Sequence, residues 1–327
     1  MPDHPTFDPA PYFSDVDEGP AGGDAVWART SDGVRIRVGL WPLAGARGTV
    51  LLFPGRTEYI EKYGPAAGDL AARGYATLTV DWRGQGIADR LTKDPLKGHV
   101  GDFDEYQRDV QAALAVAKHF DLPRPWHLLG HSMGGCIGLR ALHDGVPVAS
   151  ASFTGPMWGI GMPAAMRPLA WALGVLGTLV GRSESYAPGV VRDAYVLIQS
   201  FEGNNLTNDP DMYDFMIRQT RAHPEIALAG VTYGWLNAAL KETSALARLP
   251  APAVPGLTFL GSDEGIVDVA AVQTLMARWP NGRLEIIEHG RHEVLMDTPG
   301  RRRALFDAMA AHFDAHSGAT TPRAAAS

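Results

Sequence analysis

The sequence predicts an α/β protein, a mostly parallel sheet covered by helices on both faces and interrupted by a helical insertion. Three observations carry this prediction. Short apolar, β-branched runs alternate with stretches of helical periodicity from Thr49 onward. The alternation stops after Phe153 and resumes at Leu257. A glycine-rich turn carrying a serine joins one of the apolar runs to one of the helical stretches.

The elements follow in order. Residues 1–20 read as an irregular arm. Val26–Thr30 and Val34–Leu40 are β-rich, and Ser31-Asp32-Gly33 between them is a hairpin signal. Thr49–Phe53 is a buried strand, Tyr59–Arg73 a helix stopped by Gly74, and Tyr75–Val80 a second buried strand. Phe103–Phe120 places Val110, Leu114 and Ala117 on one helical face. Trp126–Leu129 is a strand, Met133–His143 a helix, and Val148–Phe153 a strand. After the insertion come Leu257–Leu260 (strand), Ala270–Trp279 (helix), Arg283–Ile287 (strand) and Arg301–His312 (helix). The predicted organisation is a core of 21–154 and 249–316, a helical cap of 155–248 and a disordered tail of 317–327.

Composition narrows the function. With 327 residues, 46% of them hydrophobic and 20% charged, the chain can bury one large core plus an insertion. The net charge of -7 comes with scattered Lys and Arg and no basic stripe, which argues against nucleic acid as a partner. Cys136 is alone, so no intramolecular disulfide or cysteine metal site can form, in keeping with a reducing cytoplasm. Met1–Pro20 is acidic and lacks the basic and apolar regions of a secretory signal. The most apolar stretch, Met162–Gly181, is broken by Arg167 and Pro168 and is too short beyond them to span a bilayer.

The informative run is Gly130-His131-Ser132-Met133-Gly134-Gly135, after a strand and before a helix. A sharp strand-to-helix bend would expose the Ser132 hydroxyl above the sheet, and small neighbours let strand and helix approach. This is the nucleophile elbow of an α/β-hydrolase fold. The plain alternative, an incidental serine in a glycine-rich turn, is disfavoured because both flanks fit. His131 is expected to pack at the elbow, and Cys136 to pack as a small apolar residue.

Serine needs a base, and the base needs an orienting carboxylate. In this fold the order is serine, acid, histidine. His289 and His292 share a loop after the last strand, and spacing does not choose between them. His312 and His316, late on the terminal helix, read as solvated. In Gly261-Ser262-Asp263-Glu264-Gly265-Ile266-Val267-Asp268 three carboxylates compete, and the bland role of Asp268 is to cap the following helix. The loop Phe53-Pro54-Gly55-Arg56-Thr57-Glu58 follows an early buried strand. The backbone N–H groups of Arg56 and Met133 are the candidates for an oxyanion hole.

Several segments taken together resemble one family. Pro54-Gly55-Arg56 with Glu58 and Tyr63, Asp81-Trp82-Arg83-Gly84-Gln85-Gly86, Gly98-His99-Val100 and Gly130-His131-Ser132-Met133-Gly134-Gly135 occur in one order. They look like the bacterial lysophospholipase branch of the α/β-hydrolases, related to monoacylglycerol lipases and serine-aminopeptidase-like hydrolases. The resemblance covers residues 25 to 315 and is strongest through 140. It implies a triad, no cofactor and a lidded pocket for one acyl chain. It also implies a histidine followed by glutamate, which selects His292. Its acid loop usually reads Gly-x-x-Asp-x-x-Val-Asp, so Glu264 takes the acid position and Asp263 is runner-up. Arg83–Gly86, His99 and Asp81 are expected to pack beside the site and shape it.

The cap is rich in Met and Trp. Met157, Trp158, Met162, Met166, Leu169, Trp171, Leu173 and Leu176, with Tyr186, Tyr195, Phe201, Phe215, Tyr233 and Trp235, would line a tunnel for an acyl group or simply pack on the core. Contact of Met162–Gly181 with a membrane surface is a further alternative, weakened by its single cation, Arg167. The leading expectation is hydrolysis of a lysophospholipid- or monoacylglycerol-like ester. An aminopeptidase would need an anionic cluster at the site, for which Asp209, Asp211, Asp214 and Glu202 are candidates. An acyltransferase would use the same triad, and a silent binding module would have lost part of it.

Overall fold

A computed structural model describes residues 7–318. The expected arm before residue 7 and the expected tail after residue 318 lie outside the described residues. From Phe7 to Pro20 the chain is irregular but anchored. Trp27 N–H donates to Asp8 O and Ala10 N–H to Ala25 O, so the arm covers the free edge of the first strand.

An eight-stranded sheet runs through the molecule. The strands are β1 (Asp24–Arg29), β2 (Arg35–Trp41), β3 (Gly48–Phe53), β4 (Tyr75–Asp81), β5 (Trp126–His131), β6 (Ser150–Thr154), β7 (Gly256–Gly261) and β8 (Gly282–Ile287), in the order β1-β2-β4-β3-β5-β6-β7-β8. β1 and β2 form an antiparallel hairpin, and β2 meets β4 antiparallel. Every pairing from β4 to β8 is parallel. β3, β4, β5 and β7 are buried along their whole length, which is why each reads as a continuous apolar run without alternation. β8 at the edge is only partly covered.

Helices α1 (Gly64–Ala71), α2 (Asp104–His119) and α3 (Met133–His143) cross between the early strands. The expected helix over Tyr59–Arg73 is divided: Ile60–Tyr63 is a 3-10 turn and α1 begins at Gly64. Pro65 is the reason. It lacks an N–H and fits only the first turn of a helix, so it sets the start there.

Between β6 and β7 lie α4 (Arg167–Leu179), α5 (Tyr195–Ile198), α6 (Pro210–Ala222) and α7 (Tyr233–Leu246), joined by irregular chain and short 3-10 turns. α4 presents Gly174 and Gly177 to α7, where a side chain would collide with Asn237 and Tyr233. Its large residues therefore point away, and Leu169, Leu176 and Leu179 are exposed. α8 (Val269–Ala277) and α9 (Pro299–His316) complete the layers. The expectation that His312 is solvated is incorrect. α9 packs on β6 and β7, the ring is partly buried, and burial pushes its pKa down to about 4.

Candidate active site

Ser132 is the single residue between β5 and α3. Its backbone is left-handed, with φ 49 and ψ -118, a strained conformation for a residue with a Cβ. The bend is held by Ser132 N–H donating to Thr154 O at 3.1 Å. A side chain at Gly134 would overlap the Phe53 carbonyl, and one at Gly130 would press on the Gly134 and Gly135 backbone. These glycines allow α3 to start directly against the strand ends.

His292 lies in the loop after β8. Its Nδ1 is 2.7 Å from Glu264 Oε2, and Glu264 comes from the loop after the neighbouring β7. The other carboxylate oxygen accepts from Ile266 N–H at 2.7 Å and Val267 N–H at 3.2 Å. Burial alone would raise the Glu264 pKa. The His292 contact and these two N–H groups outweigh it and hold the pKa below the ordinary glutamate value. The backbone joins the two loops, since Asp263 N–H donates to Gly290 O.

The competing candidates are placed elsewhere. Asp263 and His289 face solvent, 3.9 Å from each other. Asp268 caps α8 through Ala271 N–H and pairs with Arg167. Ser132 and His292 line one cavity, and no hydrogen bond joins them. Contacts of this kind commonly tighten only when substrate is bound. Glu264→Gln is expected to lower kcat by about 10²- to 10⁴-fold, because the neutral amide favours the wrong tautomer of the ring. Asp263→Asn should change it by less than about 2-fold, since its carboxylate is turned to water. Steady-state kinetics on any chromogenic ester compares the two, and equal effects would refute the assignment.

Met133 is the first residue of α3, where an N–H has no acceptor within the helix. In the loop after β3, Gly55 N–H donates to Glu58 and Thr57 N–H to Gln85 Oε1 at 2.6 Å. The Arg56 N–H between them donates to no protein atom among the described residues. Arg83 is buried against Asp109, Asp32 and Glu105, and His99 Nδ1 meets Thr232 Oγ1 at 2.9 Å. Neither Arg83 nor His99 lines the cavity that holds Ser132.

One feature escaped the sequence analysis. Glu58, Lys62, His131 and Glu293 converge in a fully buried cluster beside His292. Lys62 Nζ bonds Glu293 Oε1 at 2.6 Å and also bonds Glu58, which in turn accepts from Tyr63 OH. His131 Nε2 is 3.3 Å from Glu293 Oε2, and its ring lies 4.9 Å from that of His292. Burial opposes a charged Lys62, but the two carboxylates outweigh it and raise its pKa. His131 is raised by the same carboxylates against the same penalty. Glu58, His131 and Glu293 bring potential metal ligands within 4.8 Å of one another. The Lys62 ammonium already binds both carboxylates, so the cluster is built around an internal cation. Glu58 and Lys62 stand at i,i+4 and Glu293 follows His292, but only tertiary contact reveals that they meet.

The cavity has a volume of about 390 Å³ and is walled mainly by apolar groups, including Met157, Ile160, Val196, Leu228 and Trp235. Of the residues expected to form a tunnel, Met157, Tyr195 and Trp235 line it. Trp158 and Phe215 are buried away from it, and Met166, Leu169 and Leu176 face outward. None of Asp209, Asp211, Asp214 or Glu202 lines it; Asp209 caps α6. No helix among the described residues is long and apolar enough to cross a membrane.

Comparisons with known proteins bear on the family and the fold. Residues 44–299 match the family described as serine aminopeptidase, S33. The chain is 32% identical over 285 residues to lysophospholipase L2 of Escherichia coli, covering 82% of this chain and 81% of that one. It is 31% identical over 264 residues to the probable lysophospholipase L2 of Haemophilus influenzae, covering 80% and 82%. Among solved structures, a soluble variant of monoglyceride lipase from Saccharomyces cerevisiae superposes with a TM-score of 0.71 at 20% identity, covering 95% of this chain and all of that one. That likeness gives the fold, an α/β hydrolase.

Proposed function

This chain belongs to the serine aminopeptidase S33 family, and from that premise we propose that it hydrolyses the carboxylic ester of a single-chain lipid, of lysophospholipid or monoacylglycerol type. The observation that carries the reading is His292, bonded to Glu264 and lining the same apolar cavity as a serine held on a strained bend. The names of the relatives support the lipid substrate class.

In this reading the Ser132 hydroxyl attacks the ester carbonyl as His292 takes its proton. The N–H groups of Arg56 and Met133 receive the developing oxyanion, aided by the N-terminus of α3. His292 returns the proton to the leaving alcohol, and water then removes the acyl group by the same route. Glu264 holds the imidazolium that forms in each half. One buried cysteine suits a reducing compartment, which supports a cytoplasmic enzyme. The exposed leucines of α4 support contact with the lipid surface that supplies substrate.

A chain-length series tests the proposal. Each added methylene that enters the cavity should raise kcat/KM about 4-fold until the cavity is full. Esters should exceed aminoacyl anilides by at least about 100-fold. Faster cleavage of the anilides, or no dependence on chain length, would overturn it.

A further inference from the structure

Among the described residues, one arginine and one lysine line the cavity, and they differ in one respect. Lys62 is neutralised by Glu58 and Glu293. Arg56 has no carboxylate within 4.0 Å among the described residues. Its guanidinium lies 5.2 Å from the centre of the Trp235 ring, and Nη2 donates to Ala229 O at 2.8 Å. Its Nε is buried and has no acceptor. Burial depresses its pKa to about 10, so it stays protonated near neutral pH. A half-buried cation with neither a counter-ion nor a full set of acceptors is costly to keep. In a cavity beside a nucleophile, such a group points to an anionic ligand.

We propose that the Arg56 guanidinium is the subsite for the headgroup phosphate of a lysophospholipid substrate. The inference rests on the ester-hydrolase reading and narrows it. Covalent geometry supports it. Six bonds separate the backbone nitrogen of an arginine from its Cζ, and six separate the ester carbonyl carbon of a lysophospholipid from its phosphorus. One residue can therefore give its N–H to the carbonyl and its fork to the phosphate. A planar guanidinium also matches two phosphate oxygens at once. A product carboxylate would occupy the oxyanion position itself and would not reach this fork. A monoacylglycerol carries no charge there and would leave the cation unpaired.

The test compares a 1-acyl lysophospholipid with the monoacylglycerol of the same chain, using wild type, Arg56→Lys and Arg56→Gln. Arg56→Gln is expected to reduce kcat/KM on the lysophospholipid about 30-fold more than on the monoacylglycerol, mainly through KM. Arg56→Lys should recover part of the difference. Calorimetric titration of the wild type with glycerol 3-phosphate and with glycerol reads the subsite without turnover and without any variant. The phosphate should bind at least about 10-fold more tightly, and Arg56→Gln should erase that advantage. Equal losses on both substrates, or equal binding of glycerol and its phosphate, overturn the subsite while the ester reading stands. Failure of the wild type to cleave either lipid overturns the ester reading, and the titration still decides the subsite.

Discussion

Ser132→Ala is expected to lower kcat on a soluble ester by about 10⁶-fold, and His292→Ala by a similar factor. The double variant should be no worse than either single one. The reason is mechanical. Without the imidazole the hydroxyl keeps its proton and is a poor nucleophile. Without the hydroxyl the imidazole has nothing to activate. In the proposed mechanism, what remains is the stabilisation offered by the Arg56 and Met133 N–H groups, which neither change removes. Alanine keeps the Cβ at residue 132, so the left-handed bend is as strained as before and the fold should persist. Burst kinetics and thermal melts of the three variants check this. Losses that add in the double variant would mean that the two side chains act separately, contrary to the mechanism proposed here.

Lys62→Met is expected to destabilise the protein by about 3–5 kcal/mol, the usual consequence of leaving a buried charge without its partner. For a chain of this size that lowers the melting temperature by about 5 °C. Glu58 and Glu293 would then face each other in a site that excludes water. Adding Glu293→Gln to Lys62→Met should restore part of the loss. The pH dependence follows from the pKa directions. Burial would raise the Glu293 pKa, but Lys62 and His131 hold it well below the ordinary glutamate value. Its stabilising contribution is therefore present above that ordinary value and is lost as pH falls through the lower, folded value. His131 has a raised pKa, so its contribution is complete below the ordinary histidine value and is lost as pH rises through the folded one. Removing Lys62 takes away the main group that holds the Glu293 pKa down, so Glu293 takes up a proton more readily and the deficit should shrink on acidification. Urea unfolding of both proteins at about pH 8 and pH 5 measures this. A deficit of equal size at both would show that the cluster is not held together by charge.

The parts of this fold that were legible in the sequence are those set by local chemistry. β3, β4, β5 and β7 were found because burial on both faces demands unbroken apolar runs. The bend at Ser132 was legible because it, its strand and its helix occupy adjacent residues. The choice of His292 over His289, and of Glu264 over Asp263, needed the resemblance to relatives. Spacing says nothing about which side chains turn inward in two loops that approach only because β7 and β8 pair in register. The cap was read partly in error. Gly174 and Gly177, three apart on α4, marked the side that packs, and Leu169 and Leu176, expected to line a tunnel or pack on the core, are exposed instead. The Lys62 cluster was hidden for another reason: charged residues near a helix start look like solvent-facing ones until distant segments enclose them.

The segment that roofs the cavity leaves after β6 and returns at β7, and those two strands are direct neighbours. The two strands are parallel, so the segment departs from one edge of the sheet and must cross to the other before β7 begins, and no hydrogen bond of the β6–β7 ladder depends on the part that overhangs the cavity. That overhanging part is exchangeable: a different one could be grafted in, provided the crossing is kept. Selectivity and bond-breaking can thus diverge independently, with new substrates admitted from above while the cutting apparatus stays as it is.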